Sequence, residues 1–560
     1  MSLNDLHTVR ELRRKQSHLF DATPPAIPHA RRVLLYSMDP WQIGVFEQFL
    51  HLAMQRRGHQ PVSVYYDGLL PLCAWENAQV AAPSAEVIAR RFEFMYDCFD
   101  IAARGISGYL DGTVARHRAE SIVEATADRD LTSLMHEGIA VGRIARRDLT
   151  QYTLGLFDPQ TGDDWSMLRR HLVHAIMSVD LARAVLAAER PDLVVLVNGK
   201  SVMYSYMFEV CRAAGVQVTT WEEGVYFNTG IILATNARAI DFPVDDAVWQ
   251  AARQKPLSPA ESSAVDDYFA RWRGQAATTY TYYDAEERDI GRIRAALDLS
   301  PSAVVTSIYT NIVWDTNALD KDDAFENMMD WVFVTIDDVA RQPNGVLIVR
   351  AHPGETRLPF QTRTTVRALI EQRYGGIPAH VRVVDGASQF SSYEIARHSR
   401  RCAVYTSTLG IEFALMGLQP LVCGLPYYAR KGFTNDVTSR EQYARWLLTD
   451  SAPQGSDPVL LRRFMHLVLF RLVKRPEFFD GIHHSPQQPR IRIDSFEGWP
   501  ESMPVFNRIV DDILAGGSFI HLDDAVTETG SASPQHSTKR RAPAPIRRAH
   551  PIAEGSVLTT

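Results

Sequence analysis

The stretch VLIVRAHPGETRLP, Val346 to Pro359, carries four apolar residues straight into Arg350, Ala351, His352, Pro353, Gly354 and Glu355. A short continuous apolar run is what a strand buried on both faces requires. A loop that only reversed the chain would more often carry Gly, Asn, Asp or Pro without the Arg and His. The stretch therefore reads as a buried strand whose end delivers a cation, an imidazole and a carboxylate. In open α/β sheets ligands bind outside the carboxyl ends of the strands, so the residues after each strand are the ones to inspect.

On either side of it, similar runs occur at SAVVTSIYT (302–310), HVRVVD (380–385), RCAVYT (401–406) and QPLVCG (419–424), each separated by a helical or loop segment. The first half repeats the theme. RRVLLYS (31–37), a helical stretch over 41–57 and PVSVYY (61–66) form one βαβ unit. DLVVLVNG (192–199), a helix and VQVTTW (216–221) form another. Between them, about 84–188 is helical in pattern and reads as an inserted or flanking layer. The fold class is α/β, with two Rossmann-like, doubly wound domains in tandem. The expected boundaries are a leader over 1–30, a first domain over 31–240, a helical linker over 241–300, a second domain over 301–500 and a closing helix over 501–526. The segment 527–560 has few large apolar residues to offset its ordering entropy and is expected to be a disordered tail.

At 560 residues, with 46% hydrophobic and 22% charged, the chain suits two globular domains. No apolar run is expected to approach the length that crosses a bilayer, and MSLNDLHTVRELRRKQSH lacks the apolar core of a secretory signal, so a cytoplasmic protein is expected. Cys73, Cys98, Cys211, Cys402 and Cys423 are odd in number and scattered without a CxxC pair, which suits reduced thiols and no zinc site. A formal charge of -7 argues against a nucleic-acid-coating surface. Gly199-Lys200-Ser201 imitates a phosphate-binding Walker loop, but Val194 stands where the first glycine belongs. Asp128-Arg129-Asp130 and Asp320-Lys321-Asp322 follow no strand and read as solvated acids, so neither a metal nor a cofactor is called for.

Three strand ends carry chemistry. Ser407 and Thr408, with Gly410, open the helix IEFALMG, where hydroxyls and free N–H groups suit a phosphate; the bland alternative is an N-cap. One turn on, Glu412 is placed to reach ribose hydroxyls or to face solvent, and Lys431 to meet a phosphate or water. At the second strand end His352 and Arg350 suit charge-assisted hydrogen bonds to a leaving phosphate, against a backbone-satisfied histidine and an arginine in a salt bridge. Glu355 either orients that histidine or caps the next helix. At the third, Glu222 and Glu223, before Gly224, offer a general base for a sugar hydroxyl, or are two acids on an exposed loop.

Taken in order, these loops resemble the bacterial capsular polysaccharide biosynthesis proteins, which include Kdo transferases and are similar to GT-B type glycosyltransferases. The densest resemblance runs from about Val346 to Val437, through VRAHPGE and YTSTLGIEFALMGLQPLVCGLPYYARKGFTNDV; a weaker one covers NGKSVMYSYMFEVCRAAGVQVTTWEEG. The Glu-Glu-Gly, His-Pro and Ser-Thr elements also look like motifs of bacterial sialyltransferases that use CMP-sugars. The resemblance implies two domains facing across a cleft, with Glu223 or Glu222 as base, His352 at the leaving phosphate, and Ser407 with Thr408 on the nucleotide phosphate. Acid, imidazole and hydroxyl pair are then expected to meet in one crevice.

A metal-independent, inverting glycosyltransferase is therefore expected. Its donor is a nucleotide sugar, CMP-linked by preference, and its acceptor a surface glycan or lipid-linked glycan. Peripheral association with the inner membrane or a capsule assembly complex is part of the same expectation. The alternatives are a CDP-polyol phosphotransferase of similar fold, a sugar-nucleotide 2-epimerase, and a non-catalytic capsule-assembly partner.

Overall fold

The computed structural model describes residues 3–20, 26–39, 45–73, 76–223, 230–273, 286–316, 318–449, 457–480, 490–491, 493 and 495–523. These form two compact units. The first takes the chain up to 279, apart from 154–156, and resumes at Arg462; the second takes 154–156 and 280–461.

In the first unit the elements run α1 (Leu3–Lys15), β1 (Arg32–Ser37), α2 (Val45–Arg56), β2 (Gln60–Tyr65), α3 (Ala85–Phe99), β3 (Ala103–Gly105), α4 (Gly112–Ala125), α5 (Asp128–Leu131), α6 (Val141–Thr153) and α7 (Gly162–Glu189). They continue through β4 (Leu193–Val197), α8 (Ser205–Ala214), β5 (Gln217–Glu223), β6 (Ile231–Thr235), α9 (Asp246–Gln254) and α10 (Pro259–Arg273). The sheet order is β3-β2-β1-β4-β5-β6. All neighbours are parallel except β5 and β6. Leu193 to Val197 are all buried, as helices on both faces demand of a central strand. The switch in strand order falls between β1 and β4, where Leu34 pairs with Val194.

Two strands of this sheet are additions to the expected set. β3 is a three-residue edge strand, Ala-Arg-Gly, too short to show an apolar run. β6 returns antiparallel beside β5 and pairs Ile232 with Glu222 and Ile231 with Glu223. Of the described helices, α7 is by length and composition able to cross a bilayer, against the expectation that no stretch approaches this; 67% of its apolar window is instead buried in the protein. Its Leu172, Ile176, Val179 and Val185 are core residues.

The second unit contains α11 (Ile290–Ala296), β7 (Val304–Tyr309), α12 (Met328–Ala340), β8 (Gly345–Arg350), α13 (Gly354–Arg357), α14 (Val366–Tyr374), β9 (Val381–Val384) and α15 (Ser392–Arg397). It closes with β10 (Arg401–Val404), α16 (Leu409–Leu415), β11 (Leu421–Val422), β12 (Asn435–Asp436) and α17 (Arg440–Leu448). Here the order is β12-β11-β10-β7-β8-β9, and every pairing is parallel. Trp331, Val332 and Ile336 of α12 pack with Leu347 and Val349 of β8 in one core. Both units are thus doubly wound and Rossmann-like.

After α18 (Pro458–Leu467) the chain supplies Phe478, Phe496 and Trp499, then α19 (Pro504–Ala515) with Phe506, to the core of the first unit. The rings of Phe478 and Phe49 lie 4.3 Å apart. The leader's α1 buries Leu6 and Val9, and Arg13 donates to the Phe99 carbonyl at 3.2 Å. All five cysteines are buried and none forms a disulfide. The expected tail over 527–560 lies outside the described residues.

Candidate functional site

The carboxyl edge of the second unit's sheet gathers the strand ends that matter. β7 lies between β8 and β10, so the loops bearing His352 and Ser407 leave the sheet two strand spacings apart, roughly 10 Å. Backbone ties knit the edge together: Thr310 N–H donates to the Arg350 carbonyl at 3.1 Å, and Gly424 N–H to the Tyr405 carbonyl at 3.1 Å. Asn311 Oδ1 accepts the Thr406 N–H at 3.2 Å. This is where the strand order reverses, the place at which a doubly wound sheet opens a crevice. Two buried hydroxyls there have no hydrogen-bond partner among the described residues, on Thr310 (3% exposed) and Thr406 (7% exposed). Leaving a buried hydroxyl unsatisfied costs about 1–3 kcal/mol, so each calls for an explanation. Thr310, the last residue of SAVVTSIYT, Asn311 after it and Thr406, the last residue of RCAVYT, carry no sequence signal that sets them apart from ordinary strand-end residues.

His352 is half-buried, and its Nδ1 accepts the Gly354 N–H at 3.0 Å. Burial, helped by the neighbouring Arg350 cation, lowers its pKa to about 4. At neutral pH the ring is therefore uncharged with its proton on Nε2, a donor for an anion. Gly354 is required beneath it, because a Cβ there would stand 2.6 Å from Ile312 and 2.9 Å from the ring. Arg350 is placed differently from the expected phosphate contact. It is 3% exposed and donates to the carbonyls of Asp385 at 2.7 Å and Ser388 at 3.0 Å, and to Ser392 Oγ at 3.3 Å. Its visible work is to hold the 385–392 segment. Glu355 takes the capping alternative: Oε1 accepts the Val366 N–H at 3.2 Å at the start of α14, and burial raises its carboxyl to about 7.

Ser407 and Thr408 precede α16, a helix of seven residues. Thr408 makes no side-chain cap, while Ser407 Oγ accepts the Leu409 N–H at 3.3 Å. Tyr428 donates its hydroxyl to the Ser407 carbonyl and fixes the turn. Gly410 makes room for that hydroxyl, since a Cβ would lie 2.2 Å from it. Glu412 is not the solvent-facing glutamate of the bland reading. Burial raises its carboxyl to about 7, and it accepts the Tyr393 hydroxyl. Lys431 is likewise buried, at 8% exposure, and does not simply face water.

In the first unit, Glu222 and Glu223 are the last two residues of β5 rather than part of an exposed loop, which corrects the bland reading of that pair. Glu222 is 9% exposed. The preceding Trp221 donates Nε1 to Glu47 Oε1 at 3.1 Å, and Ser37 donates its hydroxyl to the other oxygen. Burial raises the Glu47 carboxyl to about 7. Beyond β6 a further bridge adds Lys474, whose carbonyl accepts the Ile231 N–H at 2.8 Å. Gly224 lies outside the described residues. The two acidic triplets also have partners: Arg169 pairs with Asp128, and the Tyr405 hydroxyl donates to Asp322 at 2.6 Å.

No family model matches the chain, and no curated protein matches it in sequence. Solved structures show similarity to the chain at low identity and low TM-score. One is KpsC from Thermosulfurimonas dismutans, a beta Kdo 2,4 transferase, at 14% identity and a TM-score of 0.32, over 51% of this chain and 81% of that one. Another is UDP-GlcNAc 2-epimerase from Neisseria meningitidis bound to UDP-GlcNAc, at 10% identity and 0.19, over 78% and 91%. A third is the glycosyltransferase SnogD from Streptomyces nogalater, at 12% identity and 0.19, over 79% and 94%. The structural neighbours thus include transferases and an epimerase.

Proposed function

We propose that the protein is a metal-independent, inverting glycosyltransferase that takes a nucleotide-sugar donor, CMP-linked by preference, and extends a surface or lipid-linked glycan. The observation that carries this reading is the set of donors at the carboxyl edge of the second unit's sheet. A neutral imidazole with its proton on Nε2, Ser407, and the otherwise unsatisfied hydroxyls of Thr310 and Thr406 are what an incoming nucleotide phosphate needs. Such donors, fixed before the reaction, stabilise charge on the departing nucleotide. Arg350, Glu355, Gly410 and Tyr428 serve by holding the loops that carry them. Glu412 joins the donor pocket through its contact with Tyr393, and Lys431 supplies a cation to the phosphates. Glu222 or Glu223 acts as base on the acceptor hydroxyl, and the acid that does so is expected to lower transfer far more when replaced than its neighbour.

A panel of CMP-, CDP- and UDP-sugars offered to the full chain in EDTA tests the reading. Sugar transfer or donor hydrolysis with release of CMP supports it. A product that retains phosphate replaces it with the polyol phosphotransferase, and nucleotide binding without turnover replaces it with the non-catalytic partner.

A further inference from the structure

The first unit contains a cavity that the transfer chemistry does not use. It holds about 440 Å³ and opens at the carboxyl ends of β2 and β3, lined by Tyr65, Asp67, Arg104, Ser107 and Tyr109. Its polar groups are fixed before any ligand arrives. Glu189, 2% exposed, takes ion pairs from Arg104 and Arg32 and accepts the Tyr109 hydroxyl at 2.6 Å. Asp67 accepts the Ser107 N–H at 3.1 Å and its hydroxyl at 2.6 Å. Only glycine at 105 allows this, because a Cβ there would stand 2.2 Å from Asp67 Oδ2. Gly108 also lines the cavity, and a Cβ there would meet nothing within 4 Å.

These groups match a polyhydroxylated ring. Arg104 keeps a side chain 63% exposed, and a guanidinium has more donors than its pairing with Glu189 uses. Neighbouring sugar hydroxyls can donate to Asp67 and accept from Arg104 at once. The tyrosines offer rings for the apolar face of a sugar, with Tyr65 buttressed by Phe92 at 5.5 Å and Tyr96 at 5.7 Å. Arg32 and Arg104 balance Glu189 and Asp67, so nothing here favours a polyanion. A second cavity of about 360 Å³ begins at Leu110, the residue after Tyr109, and is lined by Asp111, Arg118, Glu137, Asp180 and Arg183. Its acids outnumber its cations. Along the sheet, β2 and β3 lie three and four strand spacings from β5 with its two glutamates, roughly 14–19 Å, a span that only several linked sugars cover.

We propose that this edge is a distal docking subsite for uncharged saccharide residues of the acceptor chain, a proposal that rests on the transferase reading for the ligand being a glycan. It is tested on the full chain without donor, by calorimetric titration with malto-, cello-, manno- and chitohexaose and with hexagalacturonate as the acidic comparator. At least one neutral hexamer is expected to bind saturably. Gly108→Trp, which fills the open space, and Arg104→Ala are each expected to weaken it about tenfold, about 1.4 kcal/mol, with the melting temperature of Gly108→Trp unchanged. No neutral hexamer binding, binding of the acidic hexamer alone, or affinity untouched by both variants overturns the subsite. Donor turnover, measured separately, distinguishes the two readings: glycan binding without turnover leaves the subsite and removes the transferase.

Discussion

His352 shows how much a single residue's chemistry depends on what touches it. A histidine after a strand reads equally as a cation or a neutral donor; the Gly354 N–H on Nδ1 and the low pKa decide for the neutral form. Replacing it by Ala is expected to lower kcat by about 10²–10³, the usual cost of removing one fixed donor from a developing charge, and steady-state kinetics reads this directly. Because its pKa is about 4, no loss of activity from His352 titration is expected between pH 6 and 8. Glu47 behaves oppositely. Its folded pKa of about 7 lies above the ordinary 4.5, so the protonated carboxyl favours the folded state fully below pH 4.5 and that advantage is lost as pH rises through 7. Glu47→Gln should flatten the fall in melting temperature over that window, an effect on the order of 3 kcal/mol.

Among the elements, glycines set the geometry of the turns. Gly410→Ala drives a methyl into the Tyr428 hydroxyl and should cost about 1–3 kcal/mol, read by denaturant unfolding, while weakening nucleotide binding through the Ser407 turn. At Gly230 the obstacle is backbone: a Cβ would lie 2.4 Å from the Lys474 carbonyl, so Gly230→Ala is expected to break the bridge that extends β6. The long parallel strands were legible because each is a compact apolar run, and β1, β2, β4, β5, β7 and β8 fall where the periodicity puts them. β3 was not, because three residues pairing at an edge leave no pattern. Nor was β6, because it returns antiparallel beside β5, whereas a βαβ reading looks for parallel neighbours. The site was hidden in the same way. Ser407 and His352 announce themselves by residue type, whereas Thr310 and Thr406 look like ordinary strand threonines until their hydroxyls are found buried without partners.

Taken as a whole, the chain builds two Rossmann-like units and gives each a carboxyl edge with its own chemistry. Sequence could not show that the segment from Arg462 onward supplies aromatic residues to the first unit, because packing partners hundreds of positions away leave no local trace. Everything proposed for function depends on the second unit's edge binding a nucleotide phosphate, and Thr406→Val, alone and with Thr310→Val, probes that binding at its source. Valine keeps the shape and removes the unsatisfied hydroxyl, so the free protein should melt at the same temperature or higher. The measurement is calorimetric titration of CMP, with CDP and UDP in parallel, into wild type and both variants. Saturable binding to wild type is predicted, falling about tenfold or more in the variants while their stability is kept; failure of all three nucleotides to bind wild type, or equal affinity in wild type and the double variant, would refute it.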